Sequence, residues 1–276
     1  MQINLADKNI TTEEKTEIER LLIRESPSIS EGLKQMWYLM DLVWDDFNCD
    51  NIKPNWDTVG RFYSHPVWLL NGLFIEQDIV SMGHRNAISN WVVKKGFNYI
   101  VDYGGGFGTL ARLIAEKDLH VVVDIYEPHL SDFGLKRASG FSNINIVGEL
   151  KDDYDCLLST DVLEHVDDPL KDFSKMIDGV KTGGYLIVAN CFHPVIKCHL
   201  PQNFHFRFTF NIFARLMGLK VKGVLEGSHA TIFQKNIEKK VNWKLIRALE
   251  VVSKAFFPFI SILLPVLRPI KRVIAK

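Results

Sequence analysis

Residues Val101–Lys117, VDYGGGFGTLARLIAEK, decide how the rest of the chain reads. Four of the first eight residues are glycine and an aspartate stands just ahead of them. An apolar run, YIV, leads in, and a helical pattern, LARLIAEK, leads out. Glycine loses more freedom on folding than any other residue, so this density implies a backbone that turns tightly or passes close to something. Strand, glycine turn and helix make the first crossover of a doubly wound sheet. There, ligands sit beyond the carboxyl ends of the strands, and the helix N-terminus offers unpaired N–H groups to negative charge.

The downstream chain supports that placement. YIVDY is followed by the strand-like runs LHVVVDIYEP (119–128), NINIVG (143–148), YDCLLS (154–159) and GYLIVAN (184–190). Helical stretches separate most of them: TLARLIAEK (109–117), HLSDFGLKRAS (129–139) and PLKDFSKMIDGV (169–180). FNIFARLMG (210–218) reads as a further helix, with LKVKGVLEG and HATIFQK as closing strands. Strands alternating with helices of this length predict βαβ units and a parallel sheet, an α/β Rossmann-like fold. Upstream, residues 1–95 read as helical. Thr11 and Glu14 stand at capping-box spacing, and Leu33, Trp37, Met40 and Trp44 share one face of a second helix. HPVWLLNGLFIEQD (65–78) is a third helical stretch. The expected organisation is a helical N-terminal segment (1–95) on the acceptor side, a ligand-binding domain (96–236) and a basic amphipathic C-terminal tail (237–276).

Two ligands compete for the glycine loop. A dinucleotide site asks for G-x-G-x-x-G, but after Gly104 and Gly106 the third position holds Thr109. The loop instead reads D-x-G-x-G-x-G at Asp102, Gly104, Gly106 and Gly108. Glu127 follows Gly108 by nineteen positions, at the tip of the second strand, where a carboxylate suits a pair of ribose hydroxyls. Asp124 is its rival, three residues earlier and on the opposite side of the strand.

Three stretches, VDYGGGFG, YDCLLSTDVLEHVDDP and VKTGGYLIVAN, together resemble the class I S-adenosylmethionine-dependent methyltransferases. The resemblance covers residues 97 to about 235 and departs from the common pattern at Thr182, where proline is usual. It implies a seven-stranded sheet whose last strand is antiparallel, with S-adenosylmethionine as cofactor. It also implies that Asp102, Gly104 and Gly106 hold the methionine end, that Glu127 binds the ribose, and that Ser159 and Thr160 line the methionine side. The role of an acidic residue near the adenine stays open, with Glu149 the nearest match.

Methyl transfer to an alcohol needs positioning and a base. His165 lies just after the fourth strand, where the methyl group should point, and His193 lies in the polar loop NCFHPVIKCHLPQNFHFRF that follows the fifth. His205, in the same loop, is a further candidate. The cysteines and histidines of this loop supply no zinc framework, so no metal is expected. The implied reaction is transfer to a small hydroxyl-bearing acceptor, a sugar or lipid-linked intermediate. A non-catalytic cofactor-binding scaffold and a dinucleotide oxidoreductase are the alternatives.

Charge is balanced at 33 basic and 33 acidic residues, but not evenly spread. From Lys235 to Lys276 ten basic residues face two acidic ones, a net +8 that leaves −8 for the remainder. An acidic body without aromatic–basic interleaving argues against a nucleic-acid partner. In the tail, Val241, Leu245, Leu249, Val252 and Phe256 fall on one helical face. That pattern suits in-plane docking on an anionic membrane, or packing on the protein's own body or a second subunit. The run AFFPFISILLPVL is too short, and too rich in proline, for a spanning helix. With no signal peptide and no disulfide framework, the expected location is cytoplasmic, with a peripheral contact at the inner membrane face.

Overall fold

The computed structural model describes residues 3–6 and 10–274, and in it five helices precede the first strand. They are α1 (Thr12–Ile23), α2 (Gly32–Asp46), α3 (Trp56–Tyr63), α4 (Pro66–Gln77) and α5 (Ile79–Lys95). Thr11 and Glu14 form the expected capping box at the start of α1. Two of the five, α3 and α5, do not stand out in the sequence. The Asn55 side chain starts α3 by accepting from the Asp57 and Thr58 N–H groups, at the end of a stretch that reads only as a break. α5 mixes polar and apolar residues around its whole circumference, yet seats Ile88 and Val92 against the sheet.

The sheet contains β1 (Tyr99–Tyr103), β2 (Val122–Tyr126), β3 (Ile144–Ile146), β4 (Tyr154–Thr160), β5 (Val180–Ala189), β6 (Leu219–Val224) and β7 (Thr231–Lys235). Their order is β3-β2-β1-β4-β5-β7-β6, and β7 runs antiparallel to both neighbours. The seven-stranded Rossmann-like sheet with an antiparallel last strand is therefore the fold observed. The order reverses between β1 and β4, which puts the topological switch point at their carboxyl ends. Between the strands lie α6 (Thr109–Lys117), α7 (Asp132–Ala138), α8 (Pro169–Gly179) and α9 (Phe206–Leu216).

Three apolar clusters hold the molecule together. Ile88, Val92, Leu110 and Ile114 from α5 and α6 cover one face of the sheet. Phe173 and Met176 of α8 and Phe206, Phe210 and Phe213 of α9 cover the other. The third cluster joins α1 to α4 through Ile18, Met36, Leu39, Phe62 and Leu70, and meets the sheet domain through the buried Phe133 of α7 and Cys198 and the partly buried Phe107 and Ile196. Each fully buried Leu or Phe contributes about 1.5–3 kcal/mol by leaving water, so the helical cap carries a core of its own.

The tail is one long helix, α10 (Trp243–Ile274). Its inner side is set by Ile246, Glu250 and Ser253, all buried. Arg247 ion-pairs with Asp168 and Glu250, and Ser253 meets His205 Nδ1 at 2.8 Å and Thr209 at 2.9 Å. The apolar face expected from the sequence is split. Val241 and Leu249 pack against the core, while Leu245, Val252 and Phe256 are exposed together with Phe259 and Ile262. Side chains past Ile262, including those of the run LLPVLRPIKR, lie outside the described residues. Among the described residues no helix is long and apolar enough to cross a membrane.

Candidate active site

The three alternate glycines of the loop all adopt left-handed backbone: Gly104 at φ 69°, Gly106 at φ 53° and Gly108 at φ 68°. Side chains at two of them would meet different things. A Cβ at Gly104 would lie 2.4 Å from a Val162 methyl, so that glycine lets the loop pack on the end of β4. A Cβ at Gly106 would meet nothing within 4 Å, so its bare backbone faces open space at the switch point. The Gly106 N–H donates to Glu127 Oε2 at 3.0 Å, while Glu127 Oε1 accepts from the His129 N–H at 2.9 Å. Glu127 thus stands over the loop with its carboxylate bound to backbone.

Asp124 does not compete with Glu127. It is fully buried and accepts hydrogen bonds from Tyr99 at 2.6 Å, Tyr154 at 2.9 Å and Asn145 at 2.9 Å, with Lys151 beside it. These donors hold its carboxyl below the usual range against the opposing effect of burial. It cements β2 to β1, β3 and β4. Asp102 is also buried, but its Oδ2 has no protein partner. Burial pushes its pKa up to about 7, opposed by the nearby Arg85 guanidinium.

The loop is fixed from the cap side as well. Phe107, the one large residue among the glycines, lies where a Cβ on Gly72 would stand, 1.8 Å from its ring. The glycine in the middle of α4 therefore exists to receive that ring. Glu76, near the end of α4, accepts from Thr109 at 2.7 Å and Arg137 at 2.6 Å and also pairs with Arg112. Thr109 occupies the place of the missing third dinucleotide glycine, and its hydroxyl ties the first turn of α6 to the cap.

The other half of the site gathers around the end of β4. Glu164 is fully buried; its Oε1 accepts from the Cys191 N–H at 2.7 Å and its Oε2 has no protein partner. Burial, with Asp161 nearby, pushes its pKa up to about 8. His165 Nδ1 lies 3.2 Å from the Cys198 carbonyl, and its ring is 4.8 Å from that of His199. Burial, then His199, lowers the His165 pKa to about 3, so the imidazole is uncharged at neutral pH. Tyr63 and Trp68 of the cap meet His165 edge-on at 6.1 Å, and Tyr63 stacks on His129 at 5.4 Å. The loop after β5 closes this arrangement from outside: the Lys197 N–H donates to Asp41 of α2 and the Lys197 ammonium pairs with Asp45.

Of the sequence-predicted residues, Asp102, Gly104, Gly106, Gly108 and Glu127 come together at the carboxyl ends of β1 and β2. Thr160 ends β4, half-buried, beside the buried Ser159, whose hydroxyl has no partner. His165 faces the cap. His193 is exposed and contributes its carbonyl to His199 Nδ1 at 2.7 Å. His205 turns away toward the tail helix instead of roofing the site.

Among the described residues, five of the buried side-chain atoms without a protein partner lie on the elements around this site: Asp102 Oδ2, Ser159 Oγ, Glu164 Oε2, Asn190 Oδ1 and Trp68 Nε1. Unpaired buried polar groups are costly, so their convergence points to a ligand that completes them. An acceptor oxygen on Asp102, a carboxylate over the loop at Glu127 and the unobstructed Gly106 fit the amine, ribose and backbone-hugging body of S-adenosylmethionine. The residues that sequence reasoning missed are Arg85, Glu76, Tyr63, Trp68, Glu164 and His199. Glu164 was in view within Leu-Glu-His-Val, without a role attached.

The family described as "Methyltransferase domain" matches residues 76–209. Among solved structures the chain is similar to an O-methyltransferase family protein of Burkholderia thailandensis, at 15% identity and a TM-score of 0.51, covering 79% of this chain and 77% of that one. It also matches phosphoethanolamine N-methyltransferase 2 of Haemonchus contortus in complex with S-adenosyl-L-methionine, at 20% identity and a TM-score of 0.30, covering 33% and 24%. A third match is an O-methyltransferase family 2 protein of Planctomyces limnophilus in complex with apigenin, at 14% identity and a TM-score of 0.40, covering 50% and 49%. The chain therefore spans about a quarter of the nematode enzyme's length and about half of the planctomycete protein's. No curated protein sequence matches the chain.

Proposed function

We propose that this chain, which belongs through residues 76–209 to the class I S-adenosylmethionine-dependent methyltransferases, methylates a hydroxyl of a small sugar-like or lipid-linked acceptor. The observation that carries the reading is the convergence of five orphaned buried polar atoms on the carboxyl ends of β1, β4 and β5 and on the cap.

When bound, the cofactor supplies an electrophilic methyl group on its sulfonium. Asp102 accepts from the amine, with Arg85 near the carboxylate, and Glu127 takes the ribose hydroxyls in exchange for the Gly106 N–H. Thr160 and Ser159 line the methionine side. The acceptor lies against the Tyr63 and Trp68 rings and the imidazoles of His165 and His199, which touch edge-on in the ligand-free protein and would part to admit it. Flat aromatic walls suit the apolar face of a sugar ring, and imidazole nitrogens suit its hydroxyls. His165 accepts the hydrogen bond of the reacting hydroxyl. A base of pKa about 3 is weak in the ground state. It suffices as the oxygen is alkylated, because that hydroxyl then becomes strongly acidic. The cap and the loop after β5 exclude water, and His193 sits at the outer rim.

The tail fits peripheral contact with an anionic membrane, which would bring a lipid-linked acceptor to the same site. Its exposed residues Leu245, Val252, Phe256, Phe259 and Ile262 and its net positive charge support this docking.

Calorimetric titration with S-adenosylmethionine and with NAD tests the donor, and transfer of a labelled methyl group across a panel of sugars and lipid-linked sugars tests the acceptor. Donor binding followed by label in a sugar hydroxyl is the expected result. Binding of NAD alone overturns the reading, and donor binding without turnover on any acceptor turns it toward a scaffold.

A further inference from the structure

Glu164, His165 and His199 each present one metal-binding atom, and the three atoms lie within 4.8 Å of one another. Each side chain is aimed by its other end. Glu164 is held through Oε1 by the Cys191 N–H, which leaves Oε2 buried and unpartnered. His165 Nδ1 faces the Cys198 carbonyl at 3.2 Å, and His199 Nδ1 faces the His193 carbonyl at 2.7 Å. A ring nitrogen facing a carbonyl oxygen carries the hydrogen, so each ring turns an Nε2 lone pair away from the backbone. Histidines that bind metals are supported in this way, with the second nitrogen donating to a carbonyl or carboxylate.

We propose that Glu164, His165 and His199 form a two-histidine, one-carboxylate site for a single divalent transition-metal ion, of the Zn2+ or Mn2+ class. Imidazole nitrogen with carboxylate oxygen is a donor set suited to such ions. At metal–ligand lengths of about 2.0–2.2 Å the donor atoms stand about 3–3.5 Å apart, so the ion draws the present arrangement inward by about an ångström. Three protein ligands leave positions open, on the side walled by Tyr63 and Trp68. With the ion bound, the His165 Nε2 lone pair is taken by the metal, so the ion would replace His165 as the group that activates the acceptor hydroxyl. The hydroxyl's proton would pass to water at an open metal position, the ion serving as Lewis acid to a methyl transfer that consumes no oxidant or reductant. That role rests on the acceptor reading above; the ion site itself does not. Sequence spacing did not announce it, because the ligands come from two segments 34 residues apart.

The test uses the full chain without an affinity tag, stripped with a chelator and titrated with Co2+ while visible d–d absorption is followed. The expected result is one ion per chain, displaced by Zn2+. Affinity should fall by more than about tenfold in His199→Ala and in Glu164→Gln, and should be unchanged in His229→Ala, which removes a nearby imidazole outside the cluster. Circular dichroism checks folding of each variant. His165→Gln, which keeps a polar side chain of similar size, repeats the measurement if the buried His199 variant unfolds. No absorption change up to millimolar Co2+, or equal binding in folded variants, overturns the proposal. S-adenosylmethionine affinity measured on the same samples separates the two ideas. Donor binding without Co2+ binding removes the ion and keeps the donor pocket, whereas Co2+ binding without donor binding does the reverse.

Discussion

The proposed donor half and the proposed acceptor half of the site are built in opposite ways. The donor half is local: Asp102, the three left-handed glycines and Glu127 lie within 26 positions, on two adjacent strands and the turn between them. The acceptor half is assembled from Tyr63 and Trp68 in the cap, Glu164 and His165 after β4, and His199 in a later loop. A backbone cradle is written in residues that must be glycine. A side-chain pocket is written only in which segments meet.

The largest effect should come from breaking the cradle. Gly106→Val places a branched side chain at φ 53° in the open space where the donor would press against backbone. Donor binding should fall below detection in calorimetry; the left-handed backbone at this position adds strain of about 1–2 kcal/mol, so circular dichroism must show the variant folded. Asp124→Ala, by contrast, should harm stability first, since Asp124 bonds two tyrosines and an asparagine inside the sheet. Equal donor affinity in wild type and Gly106→Val would put the donor elsewhere.

Next comes the link between the halves. Glu76 holds Thr109, Arg112 and Arg137, and the charged side chains of Glu76 and the two arginines are largely buried. Glu76→Ala takes its carboxylate from the buried Arg112 guanidinium, and removing one partner of a buried pair costs on the order of 3 kcal/mol. Denaturant unfolding should show that loss. If stability changes by less than about 0.5 kcal/mol, the cap is held by its apolar contacts alone and Glu76 is a bystander.

These contrasts mark what was legible. The strand–turn–helix at Val101–Lys117 and Glu127 follow from short-range patterns: short apolar runs, glycine spacing and one carboxylate at a strand tip; the antiparallel last strand comes only with the family resemblance. Asp124 and Glu127 could not be separated by spacing, only by the tyrosines that hold Asp124. Arg85 was hidden because α5 has no amphipathic stripe to announce it. His199 and Glu76 act through partners more than thirty residues away, and no local pattern encodes such pairing. The tail shows the same limit: its helix was readable, but which side would be covered depended on Ser253 meeting His205 and on Arg247 meeting Asp168.

A smaller effect sharpens the donor half by pH. Burial raises Asp102 from an ordinary carboxylate value of 3.8 to about 7. In the free protein the folded state therefore keeps a proton that the unfolded chain has released, and stability falls as pH rises from about 4 to 7. Asn resembles the protonated acid. Asp102→Asn should stabilise the ligand-free protein at pH 8, by about 1–2 kcal/mol, and the gain should vanish below about pH 3, where both states hold the proton. The same variant should lose donor affinity at every pH, because the amide cannot supply the charge that faces the amine. Melting curves of both proteins across this range check the sign. A loss of stability at pH 8 would instead show that Asp102 is ionised when folded and paired with Arg85.

The smallest effect concerns a third region, in which the outer face is apolar and only the inner face is paired. Phe259 is 66% exposed and Phe256 58% exposed on α10, while Glu250 and Ser253 on the inner side are buried. Phe259→Glu removes one apolar contact and adds one negative charge without touching the inner side. Cosedimentation with vesicles containing anionic lipid should fall by about tenfold, through lost burial and lost attraction, and added salt should weaken wild-type binding in the same direction. Melting temperature and donor affinity should not move. If neither protein sediments with anionic vesicles, and Phe259→Glu instead converts a dimer to a monomer in analytical ultracentrifugation, the exposed face pairs with a second copy of α10. The net positive charge of the tail argues against that pairing, since two such helices would repel.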